Sequence, residues 1–267
     1  MISKKVLFKN SVLHYKVTGT GKCLMLIHGF GEDWRVWKYQ IEAISKHYTL
    51  ILPNIFGSGD SDMLEGENIT IDNYAEGLKE IILAEKIKQL SIFGHSMGGY
   101  IALAYLAQFP EDVSSIGLLH STAYADDENK IEERNKSIQF IREFGSLPFL
   151  KSSVPKLFSA FKHNKSFFDA FMQMGINISK NTLIQYYNAI KNRPDRIDLL
   201  KKVTIPVLFI SGMEDKVVSY NDNIGQSILP SISEIKLLTN TAHIGFYENP
   251  DLSNNAIILF LQNHIAV

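Results

Sequence analysis

The sequence predicts an α/β domain in which a mostly parallel sheet is flanked by helices and interrupted by a helical insertion. Three observations predict it. Short, nearly continuous apolar runs alternate with helical segments along most of the 267 residues, the pattern of strands buried on both faces and joined by helical crossovers. Between residues 122 and 200 the alternation stops and only helical patterns occur. One apolar run, Leu90 to Phe93, passes through Gly94-His95-Ser96-Met97-Gly98 directly into another helical pattern.

The elements follow in chain order. After Met1-Ile2-Ser3-Lys4-Lys5 come alternating strand-like residues, and Val12 to Val17 alternates as an exposed antiparallel strand does. Cys23 to Ile27, Tyr48 to Leu52, Leu90 to Phe93, Val113 to Leu119 and Val207 to Ser211 are the buried parallel candidates, with Ile235 to Leu238 a weaker last one. Helices are expected at Val36 to Lys46, Ile71 to Glu85, Tyr100 to Gln108, Asn221 to Ile228 and Asp251 to His264. The inserted block offers Asp126 to Phe144, Lys151 to Lys162, Ser166 to Met174 and Lys180 to Asn192, with stop signals at Gly145, Gly175 and Arg193-Pro194. Residues 1–121 and 201–267 therefore form the core and 122–200 a helical lid. The lid is expected over the carboxyl ends of the strands, where open α/β sheets bind ligands.

Composition narrows the function. A hydrophobic share of 45% and a charged share of 21% suit a globular chain with an ample core, and a net charge of −1 gives no reason to expect nucleic acid. The lone cysteine, Cys23, leaves no internal disulfide and no cysteine metal cluster; it reads as a small core residue in a reducing compartment. No run approaches the ~20 apolar residues of a membrane span. The N-terminus lacks the continuous apolar stretch of a signal peptide, so a cytoplasmic location is the expectation.

The strand–Gly-x-Ser-x-Gly–helix segment carries chemistry because a serine hydroxyl is a poor nucleophile until the backbone presents it to a base. Gly94 and Gly98 stand where side chains would collide in a sharp strand-to-helix turn, and Met97 offers a free N–H at the helix start. A base and an orienting acid are needed as well. Thr241-Ala242-His243 follows the last strand with a loop histidine, and Ser211-Gly212-Met213-Glu214-Asp215 follows another with two carboxylates. Asp215 has Glu214 as its rival on these grounds. The order Ser96, Asp215, His243, each just after a strand, fits a serine triad. The loop His28-Gly29-Phe30-Gly31 follows the strand Cys23 to Ile27, and the Phe30 N–H with that of Met97 would form an oxyanion hole.

These segments, together with Gly57-Ser58-Gly59-Asp60-Ser61 and Glu248-Asn249-Pro250, resemble the α/β-hydrolase superfamily over nearly the whole chain, in its lidded, serine carboxylesterase-like branch. The resemblance implies nucleophile Ser96, acid Asp215, base His243, and the Phe30 and Met97 amides as the hole. Asp215 falls three residues after Gly212, the family's spacing, which favours it over Glu214. Asn54 stands where relatives usually carry Asp. Ser96, where dehalogenases and epoxide hydrolases of this fold use Asp, speaks against those reactions.

The implied activity is hydrolysis of a carboxylic ester through an acyl-enzyme, without cofactor or metal. Carbon–carbon bond hydrolysis, lactone opening and cofactor-free peracid formation use the same parts in related proteins. A ligand sensor with a slow triad is the reading from another class. The substrate end is less defined. Eight of the sixteen phenylalanines fall in the insertion: Phe140, Phe144, Phe149, Phe158, Phe161, Phe167, Phe168 and Phe171. They could line an apolar acyl pocket or simply pack short helices together. His28, Gly29, His95, Phe140, Phe144, Phe158, Phe168 and Met172 are the pocket candidates. From Lys151 to Arg196 the insertion is also basic: Lys151, Lys156, Lys162, Lys165, Lys180, Lys191, Arg193 and Arg196 face only Asp169 and Asp195. It reads as a solvated surface or as a docking face for an acidic acyl carrier protein.

Overall fold

A computed structural model of the chain describes residues 1–159 and 165–265. Among them, strands β1 (Ile2–Phe8), β2 (Ser11–Thr18), β3 (Cys23–Ile27), β4 (Thr49–Pro53), β5 (Leu90–His95), β6 (Val113–Leu119), β7 (Val207–Gly212) and β8 (Ser233–Leu238) form one sheet. Their spatial order is β1-β2-β4-β3-β5-β6-β7-β8. β1 pairs antiparallel with β2 and β2 antiparallel with β4, whereas every pairing from β4 to β8 is parallel. The apolar runs explain the layout: every residue of β5 and β7 is buried, as strands covered on both faces require.

The antiparallel end departs from expectation. β2 is an interior strand, because the N-terminal residues form β1 and cover its outer edge. It buries Ser11, Leu13 and Tyr15 while its other side chains stay half-buried, which is why its sequence alternates. Cys23 opens β3 half-buried, and burial pushes its thiol pKa up.

Helices α1 (Lys38–Ile44), α2 (Ile71–Ala84) and α3 (Met97–Gln108) connect the strands of the first half. α1 is preceded by a 3₁₀ turn, Trp34–Trp37, whose N-cap Asp33 accepts from the Arg35 amide. Thr70 and Asn73 close a reciprocal capping box at the start of α2. The helical insertion between β6 and β7 comprises α4 (Glu128–Phe144), α5 (Ser146–Ser153), α6 (Lys165–Gly175), α7 (Lys180–Lys191) and α8 (Ile197–Lys202). The expected helix from Lys151 lies instead at Ser146–Ser153, because Gly145 at φ +86 resets the chain and α5 begins at once. Pro155 then enters a 3₁₀ turn, Val154–Leu157, and the far end of the expected helix, with Phe161 and Lys162, lies outside the described residues. Short α8 has no counterpart among the expected helices. Helices α9 (Tyr220–Ser227), α10 (Gly245–Glu248) and α11 (Pro250–His264) complete the chain, α11 packing on α1. No described helix is long and apolar enough to cross a membrane.

The parallel register aligns the strand ends that matter. Ile27 lies beside Gly94, Gly94 beside Leu118, and Leu119 beside Ile210. The loops leaving β3, β5, β6 and β7 therefore emerge side by side.

Candidate active site

The turn after β5 holds Ser96 at φ +50 and ψ −116, outside the regions that non-glycine residues ordinarily occupy. Its neighbours enforce this. A Cβ on Gly94 would overlap the Gly98 carbonyl, and one on Gly98 would overlap that of Ile27, so only glycine lets the three segments approach. The Ser96 N–H donates to the Leu119 carbonyl at 3.0 Å, and Ser121 Oγ donates to the Ser96 carbonyl at 2.7 Å. Both peptide ends are thus pinned to β6 and the loop after it, and the hydroxyl faces outward.

Ser96 Oγ lies 3.0 Å from His243 Nε2, and His243 Nδ1 lies 2.9 Å from Asp215 Oδ2. A carboxylate can only accept, so Nδ1 bears the imidazole hydrogen and the Nε2 lone pair points at the serine hydroxyl. Asp215 also accepts from the Val217 and Val218 amides at 2.8 and 3.0 Å, and its Oδ2 is 3.4 Å from His120 Nδ1. Burial alone would raise the Asp215 carboxyl. The adjacent His243 and the hydrogen bonds from His120 and His243 outweigh it and hold the group far below the usual carboxylate range.

His120 was not singled out by its sequence. It follows β6 at φ +50 with no motif around it. The Gly245 amide donates to its Nε2 at 3.0 Å, and its Nδ1 lies between the Gly212 amide at 3.3 Å and Asp215 Oδ2 at 3.4 Å. Burial pushes its pKa down to about 4, the pull of Asp215 notwithstanding. Among the described residues, His120, Asp215 and His243 are the grouping whose ligand atoms converge closely enough for a metal ion. Those atoms already serve one another as donors and acceptors.

A second buried pair lies beneath. His95 Nδ1 is 3.0 Å from Glu32 Oε1, and Glu32 Oε2 accepts the Gly29 N–H at 2.7 Å. Burial would raise Glu32, but His95 and these hydrogen bonds outweigh it and lower its pKa. From its other nitrogen, His95 donates to the His243 carbonyl at 3.0 Å. The His243 N–H in turn donates to the Leu157 carbonyl at 3.0 Å, so the histidine is held between the elbow beneath and the insertion above. The Phe30 and Met97 amides donate to no acceptor among the described residues.

A cavity of about 340 Å³ opens over Ser96 and His243. Of the wall residues expected from the sequence, only His95 reaches it. His28 is fully buried behind the loop, where its Nε2 accepts the Ile55 amide and burial lowers its pKa. Gly29 packs against His95 and Glu32. Phe140 and Phe144 stack on each other on the outer side of α4, 37% and 53% exposed. Phe158 is buried against Phe167 and Phe171, and Phe168 and Met172 pack half-buried against the core. The aromatic wall is supplied instead by Phe30, Tyr100, Phe149, Phe171 and Tyr187. Of the inserted phenylalanines, Phe158, Phe167 and Phe168 serve packing, Phe149 and Phe171 reach the cavity, and Phe140 and Phe144 lie outside it.

The basic stretch is likewise divided. Arg193 is buried against Asp126 at 2.9 Å, and Arg196 bonds Asp72 at 2.7 Å across to α2. Lys165 pairs with Asp169. Lys151, Lys156 and Lys180 remain exposed, while Lys162 lies outside the described residues. Asn54 replaces the usual carboxylate at its position as an acceptor: its Oδ1 takes the Trp34 amide at 3.0 Å.

With this geometry in hand, likeness to known proteins becomes informative. Residues 22–250 match the family described as alpha/beta hydrolase fold. An uncharacterized protein of Mycobacterium tuberculosis is 29% identical over 115 residues, 43% of this chain but only 33% of that protein's length. Lipase 3 of a Moraxella species is 25% identical over 243 residues, covering 86% of this chain and 74% of the lipase. A thermophilic esterase from Thermogutta terrifontis superposes with a TM-score of 0.91 over 99% of this chain and 100% of that one. Its sequence is 23% identical, so that likeness shows the fold alone.

Proposed function

Because the chain belongs to the α/β-hydrolase fold family, we propose that it is a serine hydrolase cleaving a small carboxylic ester through an acyl-enzyme. The observation that carries this reading is the unbroken relay from Ser96 Oγ through His243 to Asp215, at 3.0 and 2.9 Å, beneath a cavity. His243 Nε2 takes the hydroxyl proton as Ser96 Oγ attacks the ester carbonyl. Ionised Asp215 holds the correct tautomer and balances the imidazolium that forms. The uncommitted Phe30 and Met97 amides receive the tetrahedral oxyanion.

His243 then gives its proton to the departing alcohol, leaving the acyl group on Ser96. Water, deprotonated by the same nitrogen, attacks that ester. Collapse of the second tetrahedral intermediate releases the acid and returns the proton to Ser96. Every proton in the cycle passes through His243 Nε2, and no other cofactor is required by these steps.

Steady-state kinetics on a series of short acyl esters tests the reading. Native protein is expected to turn over at least part of the series, and Ser96→Ala to lose about six orders of magnitude in kcat. Retained turnover in a clean Ser96→Ala preparation would overturn it.

A further inference from the structure

Helix α4 presents Lys130, Glu133, Arg134 and Ser137 to the cavity over Ser96. The spacing i, i+3, i+4, i+7 marks a single helix face. A covered helix face is ordinarily apolar; here Lys130, Arg134 and Ser137 are half-buried and Glu133 is exposed, so all four side chains are polar and two are cations. Ile138 and Ile141 provide the buried packing of the helix elsewhere. Lys156 and Lys216 add two more cations at the rim.

The acidic side does not match them. Glu32 reaches the cavity but is spent on His95 and the Gly29 amide, which leaves Glu133 as the uncommitted carboxylate of the wall. Lys130, Lys156 and Lys216 form no ion pair among the described residues. Among the described residues Arg134 has one carboxylate within reach, Asp126 at 3.3 Å from its Nε. That carboxylate is buried and already held by Arg193 Nη1 at 2.9 Å. Two guanidinium groups therefore share one carboxylate. Arg193 is further satisfied by the Tyr100 ring 4.0 Å away and by the Ile190 and Tyr124 carbonyls. Arg134 lies over the Tyr187 ring at 5.3 Å and faces the cavity; with no carboxylate of its own, it carries the surplus positive charge.

A surplus cation in a partly water-excluded wall favours an anionic ligand, and a planar guanidinium matches a carboxylate in shape and donor geometry. Building on the ester-hydrolase reading, we infer that the substrate is a small ester bearing a second, free carboxylate, which the α4 face binds through Arg134 with help from Lys130 and Lys216. About 340 Å³ is at the small end of ligand sites. It suits a short dicarboxylic monoester or an ester of a hydroxy acid. The carboxylate can belong to the acyl half or to the alcohol half.

Matched substrates decide between those halves. Monophenyl adipate against phenyl hexanoate places the charge on the acyl side; 4-carboxyphenyl acetate against 4-carbamoylphenyl acetate places it on the alcohol side. In one pair the native protein should prefer the anion. Arg134→Gln should cut the anion-to-neutral ratio of kcat/KM about tenfold, the loss of one charge-assisted contact. Lys136→Gln, on an exposed lysine paired with Glu132, should leave the ratio unchanged. Lys130→Gln/Lys216→Gln repeats the test on less buried side chains should Arg134→Gln fail to fold.

Calorimetry on Ser96→Ala, which keeps esters intact, measures monomethyl adipate against methyl hexanoate for the acyl half and 4-acetoxybutyrate against pentyl acetate for the alcohol half, without turnover. Turnover of both members of each pair, with ratios indifferent to Arg134, Lys130 and Lys216, overturns the carboxylate inference while leaving the ester reading intact. Arg134-dependent binding of the anions with no turnover of any ester supports the carboxylate site and refutes the ester reading.

Discussion

The floor and the wall of the cavity are built on opposite principles. On the floor, where β3, β5, β6 and β7 end together, the polar side chains are committed to partners. Asp215 accepts from His243, Val217 and Val218, while Glu32 accepts from Gly29 and pairs with His95. On the wall, α4 carries lysine and arginine side chains with fewer partners than charges. The contrast separates fixed geometry from recognition. Catalytic groups gain by being held still before the substrate arrives, whereas binding groups gain by leaving a charge for the substrate to complete.

The contrast is tested first by breaking the floor. Asp215→Asn would preserve shape but reverse the polarity of the bond to His243 and favour the wrong tautomer. kcat on a short ester should fall about four orders of magnitude. A loss below tenfold would mean that the relay does not depend on Asp215.

The next effect is on stability. His120 is neutral and buried, with a folded pKa of about 4, whereas in the unfolded chain it titrates near 6.5. Between those values the unfolded state binds the proton more readily, so stability is lost as pH falls from about 6.5 toward 4. The loss attributable to His120 is about 3 kcal/mol. Denaturant melts across this window should show it, and His120→Gln should flatten the slope. His28, also lowered by burial, supplies a residual slope of the same sign.

A smaller effect is expected at the pair beneath the floor. In Glu32→Gln one amide oxygen replaces two carboxylate oxygens, so His95 and the Gly29 amide can no longer both be served as before. The oxyanion loop and the His243 carbonyl should loosen together. kcat should fall about tenfold to a hundredfold with KM little changed. An equal change in KM, or none in kcat, would reduce Glu32 to a packing role.

The two regions also differ in how far the sequence discloses them. Strand Val113–Leu119 is read without error, and Ser96, His243 and Asp215 come within hydrogen-bond distance, because each lies in a short segment after a strand whose glycines and apolar run dictate local geometry. His120 and the Glu32–His95 pair escape notice because their partners are 63 or more residues away and no local pattern marks them. The cavity wall escapes for another reason. Inserted helices can bury any of several faces, and which phenylalanine meets substrate depends on how the helices rotate against one another. Phe140 and Phe144 face outward, while Arg134, on the same helix, turns in. The density of aromatic residues leaves an acyl pocket and helix packing as alternatives; the orientation of α4 gives the cavity a mixed and cationic wall.

Fluorophosphonate labelling with peptide mass mapping tests the central claim most directly, because only a serine activated by its base reacts with the probe. Native protein is expected to gain a phosphonyl adduct on Ser96, blocked by prior incubation with a substrate ester and abolished in Ser96→Ala. An adduct on another serine, or ester turnover by a native protein that takes up no probe at Ser96, would contradict the account.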